Sequence, residues 1–511
     1  MKKTISKKNT KTAQPPIAID YTVNNKKTVK GYELMVVACD PRNLQKVCNY
    51  NAAELAIFKQ LQNFTFHTTL IKVPLTTQQK HGVIFAPYAL DKMAGSVYGF
   101  RNESAKRFGL KVSNTMTENL VTVYQLLGPS ANPYTPAQFA AILAKELPTL
   151  NWWPFGAKYT IIDSVTTPYF DHFSQTNLIA GSPWNLLKLQ GKNKTLYVHG
   201  FTCFESVLDC WGYENMLLSD STITKQALPA NKAAPIAIIG AGVSGLLFAV
   251  KLKRLGYSNI DLLESTDRYG GKTHTIKMNG PYPPGQNLPT YCELGTCYMS
   301  PAYTPMIEDL SKYLVGNSQI SFGTGDDGFR AIVTKDQLPP NFKAPPVMAN
   351  SEYVLRKAEA ELGLTPGFFD DKEAQLDLLI ALGKYVALHL YIFGEQAPMP
   401  SSPPEDFLKQ HASKTFMEFL RYHKLEAIIG ILQYGYEVQG YGPLKNIPAY
   451  YGLVWITPPI VEAIIKDAFG YTIPIVTAWS KGWGDLWSQI VTKENLKIIL
   501  NAKINSIKRL G

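Results

Sequence analysis

The chain has 511 residues, 45% of them hydrophobic and 18% charged, which is enough apolar material for large cores and enough length for two or three domains. Disorder throughout is excluded by that balance. Lysine and arginine outnumber aspartate and glutamate 51 to 40, a net charge of +11. Six cysteines make no disulfide framework in a chain of this length. The pairs Cys203/Cys210 and Cys292/Cys297 also lack CxxC metal spacing, so no metal site and a reducing, cytoplasmic compartment are expected. No uninterrupted apolar run reaches the roughly eighteen residues that span a bilayer, and MKKTISKKNTKTAQPP lacks the apolar segment of a secretory signal.

Residues 1–16 read as a basic, disordered tail carrying Lys2, Lys3, Lys7, Lys8 and Lys11. Such a tail is either simply solvated or attracted to an anionic membrane surface. Nucleic acid is not expected as a partner, because no basic helix or RNA-binding motif accompanies the charge. IAIDYTV, KKTV and YELMVVAC read as strands around a turn at Asn24–Asn25. A helix over 50–62, a strand in FHTTLIKVP and a helix over 137–147 follow. TLYVHGFTCF running into ESVLDCWGYENMLL reads as strand then helix. The polar stretch 219–234 has no apolar period and reads as a linker between a segment 17–218 and a segment 235–511. Within the latter, 351–393 has helical spacing and 397–407 reads as a loop.

The densest chemical signal is IAIIGAGVSGLLFAVKLKRLGYSNIDLLE, residues 236–264. An apolar strand ends in Gly240, Gly242 and Gly245 at GxGxxG spacing, a helix follows, and a second strand ends at Glu264. Gly240 permits a tight turn, Gly242 lets backbone approach a pyrophosphate, and Gly245 permits close helix–strand contact. The helix N-terminus, with Ser244 in its first turn, supports the negative charge. Glu264 suits a ribose diol, which favours FAD or NAD over NADP. The assignment is a dinucleotide site at 235–300, a substrate and helical region at 301–489, and a nucleotide-side strand at 490–511.

STDRYGGK, with Gly270, Gly271 and Lys272, and CELGTCYMSP, with Gly295 and Thr296, resemble the RxGG and following glycine motifs of the flavin amine-oxidase superfamily. The resemblance implies FAD as cofactor, with Gly295 admitting backbone to a flat ring. NLKIILNAKINSIKRLG is similar to the family strand whose backbone, near Ile504, contacts adenine. The family's second half resembles the front of this chain: IAIDYTVNNKKTVKGYELMVVACDPRNL resembles the β-meander, and LQGKNKTLYVHGFTCFESVLDCWGY resembles the closing FAD motif and last helix. This implies an α/β fold with a Rossmann-type FAD domain, a mixed-sheet substrate domain and a helical subdomain, in circularly permuted order. A tandem fragment or two joined partial domains would give the same motif order. Sixteen linker residues reach roughly 20 Å as random coil, enough to join nearby termini. The closing motif usually has an acidic residue after its glycine. Here Gly200 is followed by Phe201.

DRYGGKTHTIKMNG, LQYGYEVQGYGPLKNIPAYY and TAWSKGWGDLW resemble the FAD-dependent polyunsaturated fatty-acid double-bond isomerases. In that family a hydride leaves a bis-allylic methylene and returns at another carbon, so the cofactor carries the chemistry and no catalytic side chain is assigned. The resemblance places Arg330 at a carboxylate-binding position, Gln439 at the position of an aromatic gate, and Tyr441 and Tyr450 in an aromatic-rich lipid channel. Amine oxidation is the alternative, with Lys72 as the flavin-side lysine and Trp184 as an aromatic-cage counterpart. A non-catalytic flavoprotein scaffold is another. Asp163, Asp171 and His172 receive no acid–base role. The oligomeric state is not legible.

Overall fold

The computed structural model describes residues 15–74, 81–103, 118–130, 132–154, 156, 158–279, 289–321, 329–394, 399, 402–468 and 475–510, without the side chains of 81, 329, 330, 467 and 468. The basic tail therefore lies almost wholly outside the described residues, as does part of the loop expected over 397–407.

Strands β1 (Ile17–Val23) and β2 (Lys26–Tyr32) form a hairpin. Asn24 and Asn25 take φ of 47° and 62° at its tip, the left-handed geometry a tight two-residue turn requires and asparagine tolerates. Next come β3 (Leu34–Val37), β4 (Thr195–Tyr197), β5 (Ile236–Ile239), β6 (Ile260–Leu263), β7 (Lys497–Ile499) and β8 (Lys503–Arg509). Five of these make a parallel sheet in the order β7-β6-β5-β3-β4. LMVV, IAII and IDLL are buried at every position, the near-continuous apolar pattern of a parallel sheet covered on both faces. Helix α1 (Val243–Arg254) follows β5.

The sheet takes strands from both segments of the chain. β5 pairs with β3, Ile236 opposite Leu34, while β8 runs antiparallel to β1, with Ile17 opposite Arg509. Buried Asp261 on β6 ties the segments further. Its carboxylate accepts from Lys30 Nζ at 2.6 Å and Tyr32 Oη at 2.9 Å, and Lys497 Nζ lies 2.8 Å away. This interleaving is what the permuted motif order requires.

A seven-stranded mixed sheet runs, in spatial order, through Val347–Ala349, Phe329–Val333, His81–Phe85, Ala94–Asn102, Glu118–Leu127, Leu61–Pro74 and Thr160–Phe173. Helices α2 (Asn350–Leu362), α3 (Gln375–Phe393) and α4 (Pro458–Ala468) belong to the helical part. The architecture is the expected α/β one, with two local differences. The helix expected over 50–62 is only Ala52–Phe58, opened by a capping box between Asn51 and Glu54, because Leu61 already pairs with Phe173 in the large sheet. The stretch expected as an irregular linker contains a helix, Ser221–Ala227, whose N-terminus is held by the Asp220 carboxylate accepting from the Thr222 and Ile223 amides. A single capping residue offsets the missing apolar period there.

Candidate functional site

The C-terminal ends of β3 and β5 open onto a cavity of about 560 Å³. At its floor Gly240 has φ of 102° and Ala38 O would lie 2.9 Å from any Cβ placed there. Gly245 is not in the cavity lining. A Cβ on it would meet Gly240 O at 2.0 Å, so its role is the close helix–strand contact expected from the spacing. Gly242, Ser244 and Gly271 line the cavity, and Gly270 donates its N–H to Ala241 O, holding the second glycine turn against the first.

Glu264 also lines the cavity. Its carboxylate accepts from the Ala241 amide at 2.8 Å and from the Thr266 amide and hydroxyl at 2.9 Å, so the acid is locked at the strand end beside the glycine loop. Ile504 on β8, Gly200, Lys272 and Thr296 line the same cavity. Two expected contacts are placed differently. Gly295 lines a neighbouring space, and a Cβ there would lie 1.7 Å from Lys272 O, so backbone packing dictates this glycine. Phe201 is buried against Phe58 and His199 and does not line the cavity.

An acid other than the residue after Gly200 lies beside this glycine. Glu205 lies over Gly200, its Oε2 3.0 Å from where a Cβ of residue 200 would be. It accepts from Lys272 Nζ at 2.7 Å and from the Phe170 amide at 3.2 Å. Burial works against ionisation, yet the Lys272 ammonium holds the Glu205 carboxyl below its ordinary range. Beside this pair, Arg42 joins Asp40 at 2.8 Å and Asp171 at 2.5 Å. Burial, partly offset by Lys272, pushes Asp171 up to about 6. Burial and then Lys272 push His199 down to about 4. Asp171 Oδ2 is buried with no hydrogen-bond partner among the described residues, an acceptor suited to a hydroxyl-rich cofactor chain.

Sequence reasoning missed Glu205 and Asp171. Glu205 was available as the nearest acid after Gly200. Asp171 carried no local signal, because strand register alone brings it to the cavity. Its neighbour His172 is turned away, bonded to Phe170 O, and Asp163 receives the Ser164 amide.

Thr167, Tyr169, Glu205, Ser206, Lys272 and Thr296 are shared with a narrow passage of about 50 Å³. The passage in turn shares Tyr298, Val438, Gln439 and Trp455 with a third cavity of about 400 Å³. No charged side chain lines that third cavity among the described residues; Val354, Ile431, Leu432, Ile456, Ile460 and Ile464 do. The passage walls mix aromatic rings with Arg101, Glu205 and Lys272; Tyr169 and Tyr441 stack at 5.5 Å, and Tyr441 meets Trp455 at 5.2 Å.

Tyr441 and Gln439 both line this passage. Tyr450 lines neither the passage nor the apolar cavity and packs against Trp184, Phe393 and Phe407. Arg330 lies in the strand Phe329–Val333 opposite Val83, and its side chain is outside the described residues. Lys72 is ion-paired with Glu118 at 3.3 Å and lines none of the three cavities, and neither does Trp184.

Residues 238–314 match the family described as NAD(P)-binding Rossmann-like domain. The polyenoic fatty acid isomerase of Ptilota filicina is 24% identical over 275 residues, 54% of this chain and 50% of that protein. The L-amino-acid oxidase of Neurospora crassa is 38% identical over 64 residues, 12% of this chain and 9% of its own length. Among solved structures, the CLA-producing fatty acid isomerase from P. acnes superposes with a TM-score of 0.37 at 20% identity, covering 53% of this chain and 52% of that one. The chain thus spans about half the length of the isomerases it matches and less of the oxidase. With its sheet, glycine loop and anchored acid, the chain builds a dinucleotide-binding Rossmann-like domain, and it is similar to a fatty acid isomerase and to amino-acid-oxidising enzymes.

Proposed function

We propose that the chain binds FAD and isomerises the double bonds of a polyunsaturated fatty acid, with the family's segments in circularly permuted order. One observation carries this reading. An uncharged, largely aliphatic cavity shares lining residues with a small aromatic and polar space that in turn shares lining residues with the dinucleotide cavity. Lipid chains need such a wall, whereas a small charged amine does not.

Gly240, Gly242, Ser244, Gly271 and Lys272 would hold the pyrophosphate, Glu264 the ribose, Ile504 the adenine side, and Asp171 and Glu205 the polyol chain. FAD, when bound, supplies a ring that accepts a hydride and returns it. The protein's part is alignment and exclusion of water. Tyr169, Tyr441 and Trp455 line the passage, where π density would favour a carbon framework gaining positive charge. Tyr441 is fixed there by donating its hydroxyl to Glu205 O at 3.1 Å. No side chain need act as acid or base. The lysines of the tail are proposed to contact anionic membrane surface. The oxidase alternative uses the same nucleotide site, but Lys72 and Trp184 lie away from it.

The test has two parts. Purified, desalted protein should show oxidised-flavin absorption near one equivalent per chain. Linoleate added without oxygen should then give conjugated-diene absorbance. Oxygen consumption with peroxide release on an amine or amino acid, and no diene, would overturn the isomerase reading. Protein that neither carries nor takes up FAD would overturn both enzyme readings.

A further inference from the structure

Strands β1, β2 and β8 form a three-stranded sheet in the order β8-β1-β2, and its two faces differ. One face turns Ile17, Ile19, Tyr21, Tyr32 and Ile507 into the core. Alternation along the strands sends their neighbours to the other face. There Lys27 lies opposite Thr22, Val29 opposite Asp20, and Lys508 opposite Ala18. Lys27 and Lys508 are exposed. So are two apolar residues, Val29 at 66% and Leu510, just past β8, at 54%. Asp20 is the one acid in the three strands; it pairs with Lys27 at 2.9 Å and accepts from Asn505 at 3.0 Å.

Charge gathers around this face. Lys26 and Lys503 are exposed at its rim, and Lys30 and Lys497 both reach Asp261 at its edge. With the flanking Glu33 and Asp261 included, these six lysines stand against three acids. The chain also enters the sheet here. A Cβ on Gly31 would run into the Pro15 ring, so Pro15 lies over the outer face where Gly31 is opposite Ala18. The residues before it carry five lysines and no acid. Most of the chain's +11 therefore belongs to this sheet and the segment that leads into it.

We propose that the outer face of this sheet, together with that segment, docks the protein on an anionic phospholipid surface. The proposal deepens the reading of the tail given above and does not depend on the isomerase chemistry. Local chemistry chooses the occupant. A second copy presenting the same cationic face is repelled, while an anionic bilayer is attracted. Nucleic acid would call for arginine forks or rings on which bases stack. Here Tyr21 and Tyr32 are buried and Arg509 is turned inward to Glu54. Val29 and Leu510, apolar among lysines, suit the boundary between headgroups and acyl chains.

The experiment is co-sedimentation of the full chain with phosphatidylglycerol/phosphatidylcholine vesicles at about 0.1 M salt, where charges within about 10 Å act together. Each lysine near an anionic surface is worth about fivefold in binding. Lys27→Glu/Lys508→Glu should therefore bind at least tenfold less than wild type. Lys508→Glu alone, which leaves the Asp20 pair intact, should bind at least about threefold less. Neither residue lines any of the three cavities, so flavin content should be unchanged. Binding by both variants equal to wild type, as when the tail alone carries the contact, overturns the proposal and leaves the tail reading standing. A wild type that ignores the vesicles overturns both. Tighter binding to a DNA duplex than to vesicles at the same salt assigns the face to nucleic acid and also overturns it. Glutamine at Lys2, Lys3, Lys7, Lys8 and Lys11 separates the two readings: binding kept there but lost in Lys27→Glu/Lys508→Glu supports the face and removes the tail. Diene formation from dispersed linoleate is scored separately, and its absence bears on the isomerase reading alone.

Discussion

Replacing Arg509 with methionine removes one side of a fully buried ion pair at the join between the two ends of the chain. The guanidinium donates to both Glu54 oxygens, at 2.6 and 2.7 Å, and to Asn49 O at 2.9 Å. Tyr197 adds a hydroxyl to the same carboxylate at 2.7 Å, and the two side chains are 3% and 2% exposed. Methionine keeps most of the stem volume but leaves a carboxylate stranded among Cys48, Tyr50 and Tyr197. Breaking a buried pair on one side costs about 3–5 kcal/mol. In Arg509→Met/Glu54→Met no charge is stranded, so the double variant should unfold at higher urea than the single one.

The pH dependence has a definite sign. Burial opposes ionisation of Glu54, but Arg509 and Tyr197 hold it below its ordinary range. Its contribution in the wild type is therefore complete above the unfolded carboxyl value and lost as pH falls through the lower folded value. Without Arg509 the folded value rises, so the deficit of Arg509→Met should shrink on acidification toward about pH 5. The assay is urea unfolding followed by tryptophan fluorescence at several pH values. A single variant within about 0.5 kcal/mol of wild type, or a double variant no better than the single, refutes the reasoning.

Three further outcomes are expected. Gly245→Ala drives a methyl into Gly240 O and should weaken FAD binding at least tenfold by flavin-fluorescence titration; a change under twofold counts against the packing argument. Asp171 has a raised folded value of about 6, so it binds more protons folded than unfolded, and its own contribution to the stability of cofactor-free protein falls as pH rises through roughly 4 to 6. Asp171→Asn should flatten that part of a Tm-against-pH profile and melt higher at pH 7; superimposable profiles refute it. Gln439→Trp fills the junction between passage and apolar cavity and should abolish diene formation while leaving the flavin spectrum intact.

The nucleotide half of the site was legible because each of its features is local. Strand, glycine loop, helix and Glu264 lie within thirty residues, and each position has a steric or electrostatic reason readable without a fold. The motif order further implied that strands from 17–218 would complete the sheet of 235–511, and β3 and β4 do so. The remainder depended on register across long separations. Asp171 reaches the cavity only because Thr160–Phe173 pairs with Leu61–Pro74 as it does. Tyr450 and Tyr441 looked equivalent in a tyrosine-rich run. Tyr441 instead follows Gly440, whose φ is 86°, and this left-handed step breaks the helical phase so that the two rings face different spaces. Gly295 was read as ring-facing because sequence cannot show that Lys272 O occupies the place of its Cβ.

The pairing of β3 with β5 also bears on how the protein is made. β3 leaves the ribosome about 200 residues before its neighbour β5, which at about 5–20 residues per second is a delay of roughly 10–40 s. Throughout that time Leu34–Val37, buried at every position in the finished sheet, is an apolar strand with an unpaired edge. Contacts this distant in sequence also form slowly once both partners exist. Synthesis rate and chaperone supply, rather than final stability, will therefore govern soluble yield, and slowing translation will lower it by lengthening the wait.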